Sequence, residues 1–503
     1  MFTDEERRAV CGALFLFFSI SVIMIDMLNL IRKLIPKKIF QALQPVYHFV
    51  LSFLAAFIYR FPSRNLIVIG VTGTAGKTST VYLIAKMLEK AGYKTGFTST
   101  AVIADGRREW LNDKKMTMPG RMFIQKSLRR MIKNKCRYAI IETTSEGIKQ
   151  FRHRFINYDL VVFTGLYPEH LESHGGYERY KEAKGKLFAH LKNCSTKYLN
   201  EQKKICHPKS ALEKLNFIRL TKTIIVNGDD GEAGYFLNFW SETKMVYSLN
   251  STINLETFRK NLPSEALVKD FSFVYGREVT TGRHGTAITI DQQKINLALL
   301  GEFNAVNALA AYAVGLSQKI NPEKIKVGLE TVKSLAGKLE IIEAGQNFMA
   351  IVDYSFEPRA LEKLYQIVKL IPCQRIIHLL GSTGGGRDQA RRPLLGKIAG
   401  ENADLVIVTN EDPYDENPEV IIEQVAEGAE DVGKKLNENL FKINDRREAI
   451  KKALSLAKED DLVLFTGKGT ERYICIANGQ KIPWDEREEV RRAIVDKMGV
   501  DKG

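Results

Sequence analysis

A chain of 503 residues is too long for one domain and implies two or three. With 45% hydrophobic and 26% charged residues, the composition is that of an ordinary globular protein with a large core to bury. Six scattered cysteines without a C-x-x-C pair argue against a disulfide framework or a zinc site and for reduced thiols in the cytosol.

The first predicted element is the apolar run "VCGALFLFFSISVIMIDMLNLI" (10–31), long enough to span a bilayer, with Asp26 its one charge. After "RKLIPKK" comes a shorter run, "PVYHFVLSFLAAFIYRF" (45–61), which reads as an interfacial helix anchored by His48, Tyr59 and Arg60. No small-residue cleavage site follows the first run, so a signal peptide is not expected. Membrane attachment through residues 10–61 is the favoured reading, and a packed hydrophobic helical pair is the plainer one. A start at Met24 or Met27 would remove most of the first run.

"NLIVIGV" (65–71) is a β-branched run entering a Gly/Thr turn, and "KTSTVYLIAKMLEKAGY" shows helical spacing up to Gly92. Strand-like runs recur at "RYAIIET" (137–143), "DLVVFTGL" (159–166) and "KTIIVNGDD" (222–230). Helical patterns between them predict a parallel sheet covered by helices. Residues 236–300 read as a β-rich insertion, and "GEFNAVNALAAYAVGLSQ" (301–318) as a helix. A second alternating block begins near Gly337, with "FMAIVDYS", "RIIHLLGST", "DLVIVTNED" and "DLVLFTGKG" as strands. The expectation is an α/β protein of two such domains behind hydrophobic N-terminal helices. The net charge of +15 admits a membrane surface, an acidic substrate or a plain Lys-rich surface. Nucleic acid is not expected, since no recognition module or aromatic-interleaved basic patch is present.

The chemistry centres on "IVIGVTGTAGKTST" (67–80). A G-x-x-x-x-G-K-[ST] loop would need glycine five residues before Gly76, where Val71 stands. The parts of a phosphate site are nevertheless present: Gly73 and Gly76 for a tight turn, Lys77 for charge and Thr78 for a cation-binding hydroxyl. Nucleotide binding follows from the strand–turn–helix context, but no particular reaction does.

This stretch resembles the G-T-x-G-K-[ST] loop of the Mur ligase family, ATP-dependent peptide ligases of cell-wall precursor synthesis. Further segments resemble family motifs in order: "ETTSEGIKQFR" (142–152), "FTGLYPEHLESHGGYERYKEAKGKLF" (163–188), "NGDD" (227–230), "LLGEFNAVNALAA" (299–311), "VDYSFEP" (352–358), "GSTGGGRDQARRP" (381–393), "NEDPYDENP" (410–418) and "GKGTERY" (467–473). The resemblance covers roughly residues 64–490. It implies a P-loop-type central ATPase domain over 63–336 and a Rossmann-like C-terminal domain over 337–503, behind a segment 1–62. ATP and Mg²⁺ would be the cofactors, and a muramyl-peptide-type acceptor and an amino acid, lysine or diaminopimelate, the substrates. A cytoplasmic monomer is implied.

Residue by residue, the resemblance places the nucleotide on Gly73, Thr74, Gly76, Lys77, Thr78 and Ser79, with Asn304 at the base and Asp353 and Arg387 reaching in from the C-terminal domain. Thr78 and Glu142 would hold one Mg²⁺ and His170 with Glu142 a second, and Lys184 falls where the family carries a carbamylated lysine. Lys184 otherwise reads as a solvated helix lysine, and Asn304 as a helix cap. Thr117 and Arg152 would meet the acceptor peptide. Glu411, Asp412, Tyr414, Gly467 and Glu471 would meet the amino acid. The chain departs from the family pattern at Glu146, Phe356 and Thr470, each in place of a histidine, and at Lys338 in place of an arginine. Tyr414 replaces the arginine of a D-N-P-R motif and cannot grip a carboxylate with two hydrogen bonds. A second reading is a membrane-attached P-loop ATPase or regulatory homologue that has lost ligation.

Overall fold

The computed structural model describes residues 37–112, 114, 116–168, 175–202, 204–259, 270–282, 285–386 and 388–499. The apolar run 10–31 and the predicted site residues His170 and Arg387 lie outside them.

The second apolar run is a helix, Lys37–Ile58, with Pro45 inside it. Ala55, Ala56 and Ser52 are buried, while Val46, Phe49, Val50, Phe53 and Phe57 stand exposed. Among the described residues no helix is long and apolar enough to cross a membrane. The helix is held by Ser52 Oγ, which lies 3.0 Å from the Phe151 carbonyl oxygen, and by edge-on contacts of Phe49 and Phe53 with Phe155. His48, expected as an interfacial anchor, instead faces inward: its Nδ1 lies 2.9 Å from Arg121 Nη2. The helix puts His48 one turn from Ser52, on its protein-facing side.

Behind this helix lies an eleven-stranded sheet. Its first strands are β1 (Ile67–Thr72), β2 (Thr95–Thr98), β3 (Val102–Ala104), β4 (Glu109–Leu111), β5 (Tyr138–Glu142) and β6 (Leu160–Phe163). A small separate sheet, β7 (Lys197–Leu199), β8 (Ile205–Cys206) and β9 (Ile218–Leu220), interrupts the series. The large sheet resumes with β10 (Thr223–Asn227), β11 (Thr243–Ser248), β12 (Asp270–Gly282), β13 (Gly285–Ile290) and β14 (Gln293–Leu297). The order is β14-β13-β12-β11-β10-β6-β1-β5-β2-β3-β4. From β12 to β2 all pairings are parallel, and an antiparallel pair of strands closes each edge.

Residues 236–300 are therefore not a separate insertion. β11 and β12 continue the parallel sheet, and only β13 and β14 turn back along its edge. The edge strands alternate buried and partly exposed residues, which reads as an independent β unit when no partner is in view. The central strands β1 and β5 are buried end to end, as expected of a sheet covered on both faces. The helix Glu302–Ser317 covers one face and is buried over most of its surface, which its alanines permit by letting it approach the sheet closely.

A second, six-stranded sheet contains β15 (Glu340–Ile341), β16 (Met349–Val352), β17 (Ile376–Leu380), β18 (Leu405–Thr409), β19 (Leu440–Ile443) and β20 (Leu462–Phe465). Its order is β15-β16-β20-β17-β18-β19, parallel apart from β15. Each sheet carries apolar clusters on both faces. In both, the loops that leave the C-terminal ends of the strands are where an open parallel sheet binds ligands.

Candidate active site

β1 runs straight into the turn Gly73–Gly76, and the helix Lys77–Lys90 starts there. Gly76 caps that helix with φ 77°, and a Cβ on it would collide with Asn307 Oδ1. Only glycine adopts this conformation at little cost and leaves that space. Lys77 bends back over the turn and donates to the Thr74 carbonyl at 2.7 Å. Thr74 is anchored by its own N–H to Gly165 O at 2.7 Å, and its hydroxyl lies 3.2 Å from Tyr180 Oη. Ser79 is buried, whereas Lys77 and Thr78 remain partly open.

Glu142 ends β5, directly beside Val71 of β1, and is only 1% exposed. Thr78 Oγ1 lies 3.1 and 3.0 Å from its two oxygens. Thr100 adds its N–H at 2.8 Å and its hydroxyl at 2.9 Å. Because the Thr100 hydroxyl donates to Glu142, the Thr117 hydroxyl 2.8 Å away must donate to Thr100. No lysine, arginine or histidine among the described residues forms an ion pair with Glu142. The hydroxyl of Thr78 and the carboxylate of Glu142 are hard oxygen donors, suited to Mg²⁺. Among the described residues no cluster of three His, Cys, Asp or Glu side chains could hold a metal.

Lys184, on the helix Tyr177–Leu191, is not a solvated lysine: it is 1% exposed. Its Nζ donates to the Gly73 carbonyl at 2.7 Å and lies 4.5 Å from the centre of the Tyr180 ring. Asn304 is the third residue of its helix, not its cap. That place belongs to Gly301, because the chain enters with φ 93° there. Asn304 Nδ2 donates to Leu300 O at 2.8 Å, and Asn307 Nδ2 donates to Asn304 Oδ1 at 3.2 Å. Asn307 in turn abuts Gly76 and lies 3.2 Å from the Thr80 hydroxyl, so Asn304 connects to the loop through it.

Arg152 Nη1 donates to the carbonyl of Met118, next to Thr117, and its Nη2 donates to Gln150 Oε1 at 2.6 Å. In the second sheet Asp353 follows β16. It accepts from the Leu339 N–H at 2.8 Å and from both the N–H and hydroxyl of Ser355.

The remaining predicted residues gather where β18 and β20 end. Lys468, fully buried, donates to Asp412 at 2.9 Å, to Glu471 at 2.7 Å and to the Tyr473 carbonyl at 2.8 Å. Asp412 and Glu471 are thus not bare carboxylates offered to a substrate, because a lysine of the chain already lies between them. Glu411 is 3% exposed, its Oε2 has no hydrogen-bond partner, and a Cβ on Gly467 would strike its carboxylate. Burial pushes its carboxyl up to about 7, against the opposing pull of Lys468 and Arg446. Tyr414 has φ 53° and sets its ring against Gly385. Sequence reasoning missed Thr100, Asn307 and Lys468. Lys468 lies inside the quoted "GKGTERY" and Asn307 inside "LLGEFNAVNALAA", one helical turn from Asn304, whereas Thr100 carries no spacing signal of its own.

Two family models match the chain: the Mur ligase middle domain over residues 71–315, and the Mur ligase, glutamate ligase domain over 337–469. A UDP-N-acetylmuramyl-tripeptide synthetase of Roseiflexus sp. (strain RS-1) is 36% identical over 451 residues, 88% of this chain and 81% of its own. The UDP-N-acetylmuramoyl-L-alanyl-D-glutamate–2,6-diaminopimelate ligase of Geobacillus kaustophilus is 32% identical over 450 residues, covering 89% and 82%. A solved structure of a ligase of that second name superimposes with a TM-score of 0.58 at 24% identity, covering 86% of this chain and 79% of the other. A pseudomurein peptide ligase type C from Methanothermus fervidus gives 0.52 at 18%, covering 86% and 79%. Ordered motifs, two matching domain families and relatives matched over about four-fifths of their length agree, and the chain belongs to the Mur ligase family of ATP-dependent ligases.

Proposed function

We propose that the protein joins an amino acid to the carboxylate of a muramyl-peptide-type acceptor in peptidoglycan precursor synthesis, through an acyl phosphate. The observation that carries this reading is Glu142: a buried carboxylate held by hydroxyls and one amide beside a phosphate loop, with no cation of the described residues paired to it. Relatives named for adding an amino acid to a muramyl peptide align over about four-fifths of their length.

In this reading the loop of Gly73, Thr74 and Gly76 holds the ATP phosphates with Lys77, Thr78 and Ser79, through amides other than that of Thr74, which is given to Gly165. Thr78 and Glu142 would hold one Mg²⁺ and His170 with Glu142 a second, and the ions would neutralise phosphate charge. Lys184, as a carbamate, would turn its oxygens to the same place. Thr117 and Arg152 position the acceptor, whose carboxylate oxygen attacks the γ-phosphorus as ADP leaves. The amino acid's amine then attacks the acyl carbon, phosphate departs and the amine proton is lost. Asn304, Asp353 and Arg387 complete the nucleotide site.

Glu411, Asp412, Tyr414, Gly467 and Glu471 receive the amino acid. Three carboxylates around one lysine leave an acidic excess, which suits the ammonium end of lysine better than the second carboxylate of diaminopimelate. The units are residues 1–62, 63–336 and 337–503, and residues 10–61 attach the enzyme to the inner membrane face. The exposed Phe49, Phe53 and Phe57 support that attachment. The test is ADP release measured against a panel of acceptors and amino acids. The proposal expects release to require both, with lysine preferred over diaminopimelate. Release independent of any acceptor would favour an ATPase that has lost ligation.

A further inference from the structure

Arg121 and Arg152 converge on Gln150. Arg121 Nη2 donates to the Gln150 backbone carbonyl at 3.2 Å, and Arg152 Nη2 donates to its side-chain oxygen at 2.6 Å. Neither arginine makes an ion pair with a carboxylate of the described residues, and the Nε of each is buried without a partner. Glu146, the nearby carboxylate, is exposed and accepts from Gln150 Nε2 at 2.7 Å. Burial lowers the pKa of both guanidinium groups, and the charge of Arg152 lowers that of Arg121 further.

His48 adds a third nitrogen group from the helix Lys37–Ile58. An arginine can only donate, so His48 accepts at Nδ1 and is neutral there. Burial and the two arginines hold its pKa below the ordinary histidine value. Two partly buried guanidinium groups beside one another, with only the exposed Glu146 to offset Arg152 and no carboxylate bonded to either, are costly in an apoprotein, and an anion lowers the cost. Arginine's planar fork matches carboxylate and phosphate alike.

The position selects which anion. Arg152 is bonded to the carbonyl of Met118, and Thr117 connects through Thr100 to Glu142 and the phosphate loop. A substrate whose reacting carboxylate lies at the loop would therefore carry a second group toward Arg121. We infer that Arg121 and Arg152 form an anion clamp for the acceptor's second oxyanion, either a non-reacting carboxylate of its peptide or a phosphate on its sugar, with His48 as the positioning residue that orients Arg121. The inference rests on the ligase reading and adds Arg121 and His48 to it.

The test uses the full chain. Arg121→Ala should raise the KM for the acceptor about tenfold to a hundredfold while kcat and the KM for ATP hold. Its thermal midpoint should not fall, because an uncompensated charge is being removed; a lowered midpoint with unchanged KM would mark a merely structural arginine and overturn the inference. His48→Gln should retain acceptor affinity through its side-chain oxygen, and His48→Leu should lose it. An acceptor with its free carboxylate amidated, and one stripped of phosphate, separate the two sources. Whichever loses affinity for wild type should lose no more with Arg121→Ala, and insensitivity to both changes would contradict the clamp. Thermal shifts with glutarate and with inorganic phosphate, under saturating ADP, separate this inference from the ligase reading. Stabilisation of wild type but not Arg121→Ala, without turnover on any acceptor, would keep the anion site and refute ligation. Turnover with Arg121→Ala kinetically identical to wild type would do the reverse.

Discussion

At the end of β5, Glu142 is held by hydroxyls and one amide and pairs with no cation of the described residues. At the ends of β18 and β20, Asp412 and Glu471 close on the buried ammonium of Lys468, with Glu411 beside them. Both groups of carboxylates are buried, yet only the second has a lysine of the protein bonded among its members. A carboxylate held by neutral donors is suited to an arriving metal cation, whereas one paired to a resident lysine is already held in place by a charge of the protein. Residue type alone does not distinguish the two cases; what faces each carboxylate does.

The sharpest way to break this contrast is at the loop. Lys77→Ala should lower ATP turnover by at least about 10³-fold, since in the proposed site its charge neutralises phosphate. Turnover close to wild type would remove the phosphate-loop assignment. Glu142→Gln should cost about 10²-fold in turnover but leave the thermal midpoint almost unmoved, because glutamine keeps an acceptor for Thr78 and Thr100. Lys468→Met should do the opposite to the fold. It strands buried carboxylates, and about 3–5 kcal/mol of stability should go with it, read as a lower melting transition. If Glu142→Gln unfolds the protein and Lys468→Met does not, the contrast is inverted.

The smallest expected effect is on pH. Folded Glu411 titrates at about 7 rather than its ordinary 4.5, so the folded state binds that proton more tightly than the unfolded one. The stability it lends is full below about pH 4.5 and is lost as pH rises to about 7. His378, lowered to about 3, and His190, lowered to about 4, act in the opposite sense, favouring the fold above their ordinary 6.5 and costing it as pH falls. The difference between wild type and Glu411→Gln isolates the first term. That difference should slope between pH 4.5 and 7, and a flat one would refute the assignment.

Much of this was legible in the sequence for a physical reason. Gly73 to Ser79 are contiguous, and the strand, turn and helix that make a phosphate site are encoded locally. Glu142 and Lys184 were reached only through family resemblance, because strand pairing and helix packing bring them to the loop from 64 and 111 residues away. Thr100 stayed hidden for the same reason, with no motif to recommend it, and Asn307, though inside "LLGEFNAVNALAA", reaches the loop only through helix packing. His48 was misread because an apolar helix shows its composition in sequence but not which side meets the protein. The edge strands β13 and β14 misled in a similar way: alternation reveals a strand but not the sheet it joins.

The central claim is that Glu142 and Thr78 complete a cation site when nucleotide is bound. Mn²⁺ substituted for Mg²⁺ and titrated into the protein with a non-hydrolysable ATP analogue, followed by electron paramagnetic resonance, tests it directly. The wild type should bind the metal–nucleotide complex with the ion in a protein-perturbed environment, and Glu142→Gln should lose that perturbation while remaining folded. An unchanged Mn²⁺ spectrum and affinity in Glu142→Gln would contradict the account.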